Sequence, residues 1–360
     1  EMYGVVYNTV DGDLQLSGGV VSAPFDVSTA VYSQAFSVAG QDSSPRGLAF
    51  STDGTKMFFS GDNGKDVNEY TLSTGFDVST ATFVDSFSVN AQDDNMFGFT
   101  FNADGTKMFI VGYTNRAVFE YSLSTGFDIS TTSYVRNFSV ASQETTPRDV
   151  AFNADGTKMF IVGTTGDDVN EYTLSTGFNV STASFVDSFS VSPQDSVPTS
   201  IAFNTDGTKM FIVGTAGQDV NEYTLSAGFD VSTASFVDSF SVASQDTSPY
   251  GLAFNADGSK MFVVGNTGAD INEYSLTASV SPTGYQPVHT TASTDTTYWT
   301  DINSMTADQA AGDGNVYYAI STDDRTTWTV IDNTDGERDI VRNNAGTWQY
   351  NSNATYASET

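Results

Sequence analysis

The chain has 360 residues, with 44 acidic side chains against 13 basic ones, a net charge of -31 and a pI near 4.1. A field of that sign repels polyanions, which argues against nucleic acid and an anionic membrane surface as partners. The absence of cysteine excludes disulfide frameworks and thiolate metal sites, and no apolar run is long enough for a membrane-spanning helix.

Abundant Gly, Ser and Thr stand beside 27 Phe and 17 Tyr, whereas Leu is scarce and no long segment has helical periodicity. This is an all-β composition, and the length favours two units or a radial array. The chain opens on Glu1 with neither a basic segment nor the apolar core of a leader, so an export signal, if the protein has one, is not expected within these residues. Residues 1–23 read as an N-terminal extension.

From residue 24 onward one sentence is written repeatedly. The Asp-Gly pairs at 53/54, 104/105, 155/156, 206/207 and 257/258 recur every 51 residues without insertion. A period of 40 to 50 residues holding four strands reads as a propeller blade. In the copy 147–197 the strands are "RDVAFN" (A), "KMFIVG" (B), "DVNEYTL" (C) and "FVDSFSV" (D). Asp-Gly is expected to form a two-residue type I′ hairpin between A and B. Strand B is apolar throughout, as for a strand packed on both faces, and D alternates, as for a half-solvated outer strand. The connection "STGFDVSTAS" from C to D offers local turn hydrogen bonds, with Phe76, Phe127, Phe178 and Phe229 expected to tuck it against the blade.

Strand counting predicts how the ring closes. The last A-B-C set, 249–276, has no D of its own, while "PFDVSTA" and "YSQAFSV" near the start supply a D with no A before it. Joining the two orphans predicts a β-propeller of five four-stranded blades over 24–276, closed by an N-terminal strand. Six or seven blades are the alternative, if residues 1–19 contribute degenerate strands. Residues 277–360 form a linker and a small C-terminal β module: a short helix around 304–311, then two hairpins in "VYYAISTDDRTTWTVID" and "ERDIVRNNAGTWQYN".

The text "AFNADGTKMFIVG...DVNEYTLST" resembles β-propeller repeats of the surface-layer type with the YVTN signature. The longer "EYTLSTGFDVSTASFVDSFSV" is similar to repeats in marine bacterial surface proteins and in virion proteins of tailed phages, and the C-terminal module is similar to modules of phage structural proteins. The resemblance implies the fold, and an extracellular or virion location with other virion or surface-assembly subunits as partners. It implies no particular chemistry, because propellers host unrelated activities.

Motif by motif, chemistry recedes. The Lys of each "DGTK" (Lys56, Lys107, Lys158, Lys209, Lys260) reads as local charge compensation beside a turn. Asp168, Asn170 and Glu171 are oxygen ligands of the kind Ca²⁺ takes, but not at the spacing of a calcium loop, so weak Ca²⁺ binding stays open beside a structural role and no other cofactor is expected. The Gln-Asp pair in "SVSPQDSVP" reads as a capped turn. "STDDRTTW" matches an Asp-box at Ser321, Asp323 and Trp328 with Arg325 in place of Gly, which is a folding element. His289 has no second His or Cys to complete a metal or triad set, and the sequons at Asn137, Asn179 and Asn353 carry no assigned role. No catalytic residue is named and the chain is read as non-enzymatic.

What remains is where the copies disagree. The A-B and C-D connections hardly vary and share one face; the B-C and D-A loops on the opposite face do vary. Strand A begins Pro45-Arg46, Met96-Phe97, Pro147-Arg148, Pro198-Thr199 and Pro249-Tyr250, and the B-C loops differ at Lys65, Arg116, Asp167, Gln218 and Ala269. Structural duty keeps equivalent positions alike, so variation is either drift on a loop with no special φ or diversified function. Arg beside aromatic side chains suits a glycan or protein receptor. The predicted ligand-binding residues are therefore Arg46, Lys65, Phe97, Arg116, Arg148, Asp167, Gln218 and Tyr250. The expected function is receptor binding by an extracellular or virion propeller; the alternatives are a structural subunit of a fibre or virion, and a propeller hydrolase or lyase.

Overall fold

The computed structural model describes residues 24–279 continuously and, outside them, the strands Val5–Asn8, Asp13–Leu16, Val20–Ser22, Tyr318–Ile320, Thr329–Asp332, Asp339–Asn344 and Thr347–Gln349. The chain divides into two compact units, Val20–Ser279 and Glu1–Gly19 with Val280–Thr360. In the latter, Val5–Asn8 pairs antiparallel with Asp13–Leu16, and the last four strands form one antiparallel meander. The expected helix at 304–311, the Asp-box at 321–328, His289 and Asn353 lie outside the described residues.

The first unit is an all-β propeller of five blades, which disposes of the six- and seven-blade alternatives. Blade 1 has strands A to D at Pro45–Phe50, Lys56–Gly61, Asp66–Leu72 and Ala81–Ser88. Blade 2 has Met96–Phe101, Lys107–Gly112, Ala117–Leu123 and Thr132–Ser139. Blade 3 has Pro147–Phe152, Lys158–Gly163, Asp168–Leu174 and Ala183–Ser190. Blade 4 has Pro198–Phe203, Lys209–Gly214, Asp219–Leu225 and Ala234–Ser241. Blade 5 takes Pro249–Phe254, Lys260–Gly265 and Asp270–Ser279 from the end of the repeats and Ala30–Ser37 from their beginning. Its closing register runs from Asp270 opposite Ser37 to Leu276 opposite Ala30. Val20–Ser22 adds a short pairing with Thr277–Ser279, so the unit reaches a few residues beyond 24–276.

The core lies between blades rather than within them. Ala151, Phe160 and Val162 of blade 3 pack with Ile201, Met210, Ile212 and Tyr223 of blade 4, and four equivalent wedges complete the ring. Strand B is buried along both faces, as its unbroken apolar text requires. Burying one such side chain stabilises by about 1.5–3 kcal/mol, so a blade acquires its stability from its neighbours.

Two local expectations need correction. Only the Gly of each Asp-Gly pair takes positive φ (Gly54 at 69°, Gly156 at 70°), so the A-B turn is not the two-residue type I′ hairpin. The turn is longer: Gly54 N–H donates to Ser51 O, and the Asp53 carboxylate accepts from Thr55 N–H. A side chain at Gly54 would lie 2.2 Å from the Phe76 ring, which covers the turn as the C-D loop folds over it. Phe76 reaches beyond its own blade, to Phe262 of blade 5. Strand D, in turn, does not alternate cleanly. A bulge opposite Glu171 and Tyr172 leaves Val186 unpaired, so neighbouring Phe185 and Val186 are both exposed, at 42% and 49%.

Candidate functional site

The invariant side chains turn out to hold blades together. Lys158 Nζ donates to Glu171 at 2.7 Å and to Phe229 O of blade 4 at 2.6 Å, while Glu171 also accepts from Val231 N–H of blade 4 at 3.1 Å. The same clamp recurs from every blade to the next, the last two using Phe25 O and Phe76 O. The repeated Lys is therefore the local counter-charge expected of it, paired with a Glu of its own blade, and a cross-blade tie as well. Asp168, the first of the three oxygen donors considered for Ca²⁺, accepts from Asn170 at 2.8 Å, and burial raises its pKa. Among the described residues no group of three metal-ligating side chains stands together.

The acidic residue of each D-A loop caps its own turn and holds the B-C loop. Asp195 accepts from Val197 N–H at 2.6 Å and Gly217 N–H at 2.7 Å, and Glu144 takes this place in blade 3 through Thr146 and Thr165. The preceding Gln accepts from the buried Tyr of strand C, as Gln194 does from Tyr223 at 3.2 Å. Burial pushes the Tyr70 phenol up to about 12.

Against this repetitive scaffold the second residue of strand A stands out, because it is Arg46, Phe97, Arg148, Thr199 and Tyr250 around the ring. The five innermost strands carry these residues together at the mouth of the channel on the variable face. The Arg46 guanidinium carbon lies 4.1 Å from the centre of the Tyr250 ring and 4.8 Å from that of Phe97. The Arg148 carbon lies 4.2 Å from Phe97 and 5.6 Å from Tyr113. A continuous stack results, Tyr250, Arg46, Phe97, Arg148 and Tyr113, in which one Phe serves two cations. Arg46 forms an ion pair with Asp62 at 2.9 Å. Arg148 makes no ion pair or hydrogen bond among the described residues, and the Nε–H of both arginines is buried without a partner. Such a donor costs about 1–3 kcal/mol when left unpaired. Burial lowers the Arg148 pKa, and Arg46 adds to the effect.

One residue further along strand A the ring reads Gly47, Gly98, Asp149, Ser200 and Gly251. Asp149 is enclosed, accepting from the Ser200 hydroxyl, from Ile201 N–H at 3.1 Å and from Val150 N–H at 2.8 Å. Ser200 Oγ in turn accepts from Leu252 N–H at 3.1 Å. A Cβ on Gly98 would fall 1.9 Å from Asp149 Oδ1, so Gly98 makes the room that Asp149 fills. Burial pushes the Asp149 carboxyl up to about 7. Beyond this level, toward the face of the A-B turns, lies a cavity of about 380 Å³ lined by Phe50, Phe101, Phe152, Phe203 and Asp149 but by none of the mouth residues.

Of the eight predicted site residues, Arg46, Phe97, Arg148 and Tyr250 meet at the mouth. Lys65, Arg116, Asp167 and Gln218 do not join that stack. Each has φ between 48° and 55°, as does Ala269 at 50°, and the carbonyl of each accepts from the N–H of the first residue after strand D, as Arg116 O does from Val140 N–H at 2.9 Å. This position thus does require a special φ, contrary to the reading of a loop without one. The fold accepts non-Gly residues there at a cost of about 1–2 kcal/mol each. Tyr113 and Asp62, which complete the mouth, were passed over. They occupy the first B-C loop position, which varies as Asp62, Tyr113, Thr164, Thr215 and Asn266 and so carried a signal of its own.

No protein-family profile matches the chain, and no curated protein does. Solved structures do resemble it in fold. A functionally unknown protein from Desulfotomaculum acetoxidans DSM 771 is 12% identical with a TM-score of 0.38, over 61% of this chain and 62% of that one. Virginiamycin B lyase from Staphylococcus aureus is 12% identical with a TM-score of 0.42, over 68% and 98%. The β-propeller domain of Myceliophteria thermophila Cps50 (Swd1) is 7% identical with a TM-score of 0.40, over 68% and 99%. At these identities the likeness concerns the propeller architecture alone, and the chain spans less than two thirds of the Desulfotomaculum protein.

Proposed function

We propose that this is a non-enzymatic extracellular or virion propeller that engages a receptor, glycan or protein, through the channel mouth of its variable face. One observation carries the reading: five equivalent positions hold Arg46, Phe97, Arg148, Thr199 and Tyr250 on a scaffold whose clamps and capped turns repeat blade after blade. Packing alone has no use for an unpaired guanidinium there. Likeness of the repeats to surface and tailed-phage virion proteins supports the location, with residues 1–23 and 277–360 attaching the propeller to a larger assembly.

Removing one cation and one aromatic ring of the stack, with Arg148→Ala and Tyr250→Ala together, is expected to weaken receptor binding by at least about 2 kcal/mol, the size of a hot-spot loss. A glycan array and an immobilised host-surface extract would read it, with thermal melting as control. Undiminished binding by a folded double variant would sink the proposal.

A second reading, a structural subunit of a fibre or virion, is favoured by a different feature. Pairs on successive D strands, Val31 with Tyr32, Phe83 with Val84, Tyr134 with Val135, Phe185 with Val186 and Phe236 with Val237, are 38–56% exposed around the rim. Light scattering on the purified chain separates the two: a monomer favours the receptor reading, a polymer the subunit.

A further inference from the structure

We propose that the channel mouth takes a single carboxylate carried by an otherwise neutral saccharide, an acidic sugar, with Arg148 as principal partner and Arg46 as second. This deepens the receptor reading and rests on it.

Arg148 stands apart from most other cations of the repeats. Lys56, Lys107, Lys158, Lys209 and Lys260 each sit against a Glu at 2.6–2.9 Å, and Arg136 lies 3.5 Å from Glu120. Arg148 has no such partner among the described residues, and its Nε–H is buried and unbonded. Glu144, a nearby acidic group, already accepts from Thr146 and Thr165 N–H. Arg46 commits Nη2 to Asp62 and leaves its own Nε–H unbonded. Stacking on Phe97 and Tyr113 fixes the plane of the Arg148 guanidinium. Its donors lie in that plane, in the fork that matches a carboxylate. Two cations sharing one aromatic ring repel each other, and an anion at the mouth relieves that repulsion.

The remainder of the ligand follows from the charge of the whole chain. At -31 the protein repels a multiply charged polymer or acidic peptide as it approaches, whereas screening over about 8 Å lets two local arginines prevail for one isolated charge. Tyr250 and Tyr113, both partly exposed, offer aromatic faces of the kind a sugar ring packs on.

The test is calorimetry on the full chain with an oligosaccharide ending in glucuronate and the same oligosaccharide ending in glucose. The expected result is a preference of at least about tenfold for the uronate, shrinking as salt is raised. Arg148→Met should remove that preference, lowering uronate binding to the level of the glucose-terminated sugar, with thermal melting as the control for folding. Arg148→Lys, which keeps charge but loses the fork, should keep only part of it, and it carries the test if the Met variant fails to fold. Equal binding of both sugars, indifferent to Arg148, would overturn the carboxylate site and leave the receptor reading standing. Binding of a peptide ending in glutamate, with the same dependence on Arg148 and none for the uronate, would overturn the saccharide. Absence of binding to both sugars and the peptide would overturn the carboxylate site, while the glycan array and host-surface extract decide the receptor reading separately.

Discussion

At the scale of single residues the propeller departs from five-fold symmetry at two adjacent levels of its axis, and Asp149 is the costlier departure. Gly occupies the equivalent place in three blades, and only Gly98 beside it leaves space for the carboxyl. A carboxyl whose pKa is higher in the fold than in the open chain holds more protons when folded. Its contribution to stability therefore falls as pH rises from the ordinary carboxylate range to about 7, and levels off above. Asp149→Asn removes that titration. Relative to the natural chain, the variant should gain stability steadily between about pH 4 and about pH 7, measured by urea unfolding at each pH. Parallel pH profiles would show that Asp149 does not titrate in this range.

At the scale of elements, the clamp made by each Lys-Glu pair explains why strand B begins with Lys and strand C carries Glu in every copy. Spacing alone could not reveal it, because Lys158 and Glu171 are partners within a blade whose purpose is to seize Phe229 O and Val231 N–H of the next. Glu171 is 3% exposed, so removing its charge strands a cation and an amide in a buried place. Glu171→Gln is expected to cost about 2–3 kcal/mol in chemical denaturation, more than an exposed ion pair would. A loss below about 0.5 kcal/mol would mean that the clamps add little to the blade contacts. By contrast, the "DVST" turns were legible as written: Asp26, Asp77, Asp128, Asn179 and Asp230 each accept from the N–H two residues on and cap a short helical turn. Local hydrogen bonds of this sort depend on neighbours in sequence and nothing else.

At the scale of the molecule, closure joins the two ends of the repeat. Ala30–Ser37 completes blade 5, Phe25 packs on Phe211 and Phe254, and Lys209 grips Phe25 O, so the first repeat strand is tied to blade 4 as well. Deleting residues 1–38 would leave Asp270–Ser279 as a bare edge and open the wedge that Val27 and Ala30 fill. The truncated chain is expected to lose cooperative melting and to associate through that edge, with size-exclusion elution shifting to larger species. A monomer melting like the full chain would show that closure is dispensable.

Repetition in the sequence determined the architecture of this protein. The 51-residue period, the apolar B strands and the two orphaned halves of one blade are properties of order along the chain, and strand pairing within a blade follows from them. Only the tertiary structure decided which variable positions meet. Residues 51 apart, such as Arg46, Phe97 and Arg148, converge on one axis because strand A is innermost in every blade. Lys65 and Arg116, equally variable in the text, take left-handed turns and stay out of the stack. Variation marks a face, and the radius at which a strand lies turns part of that face into a site.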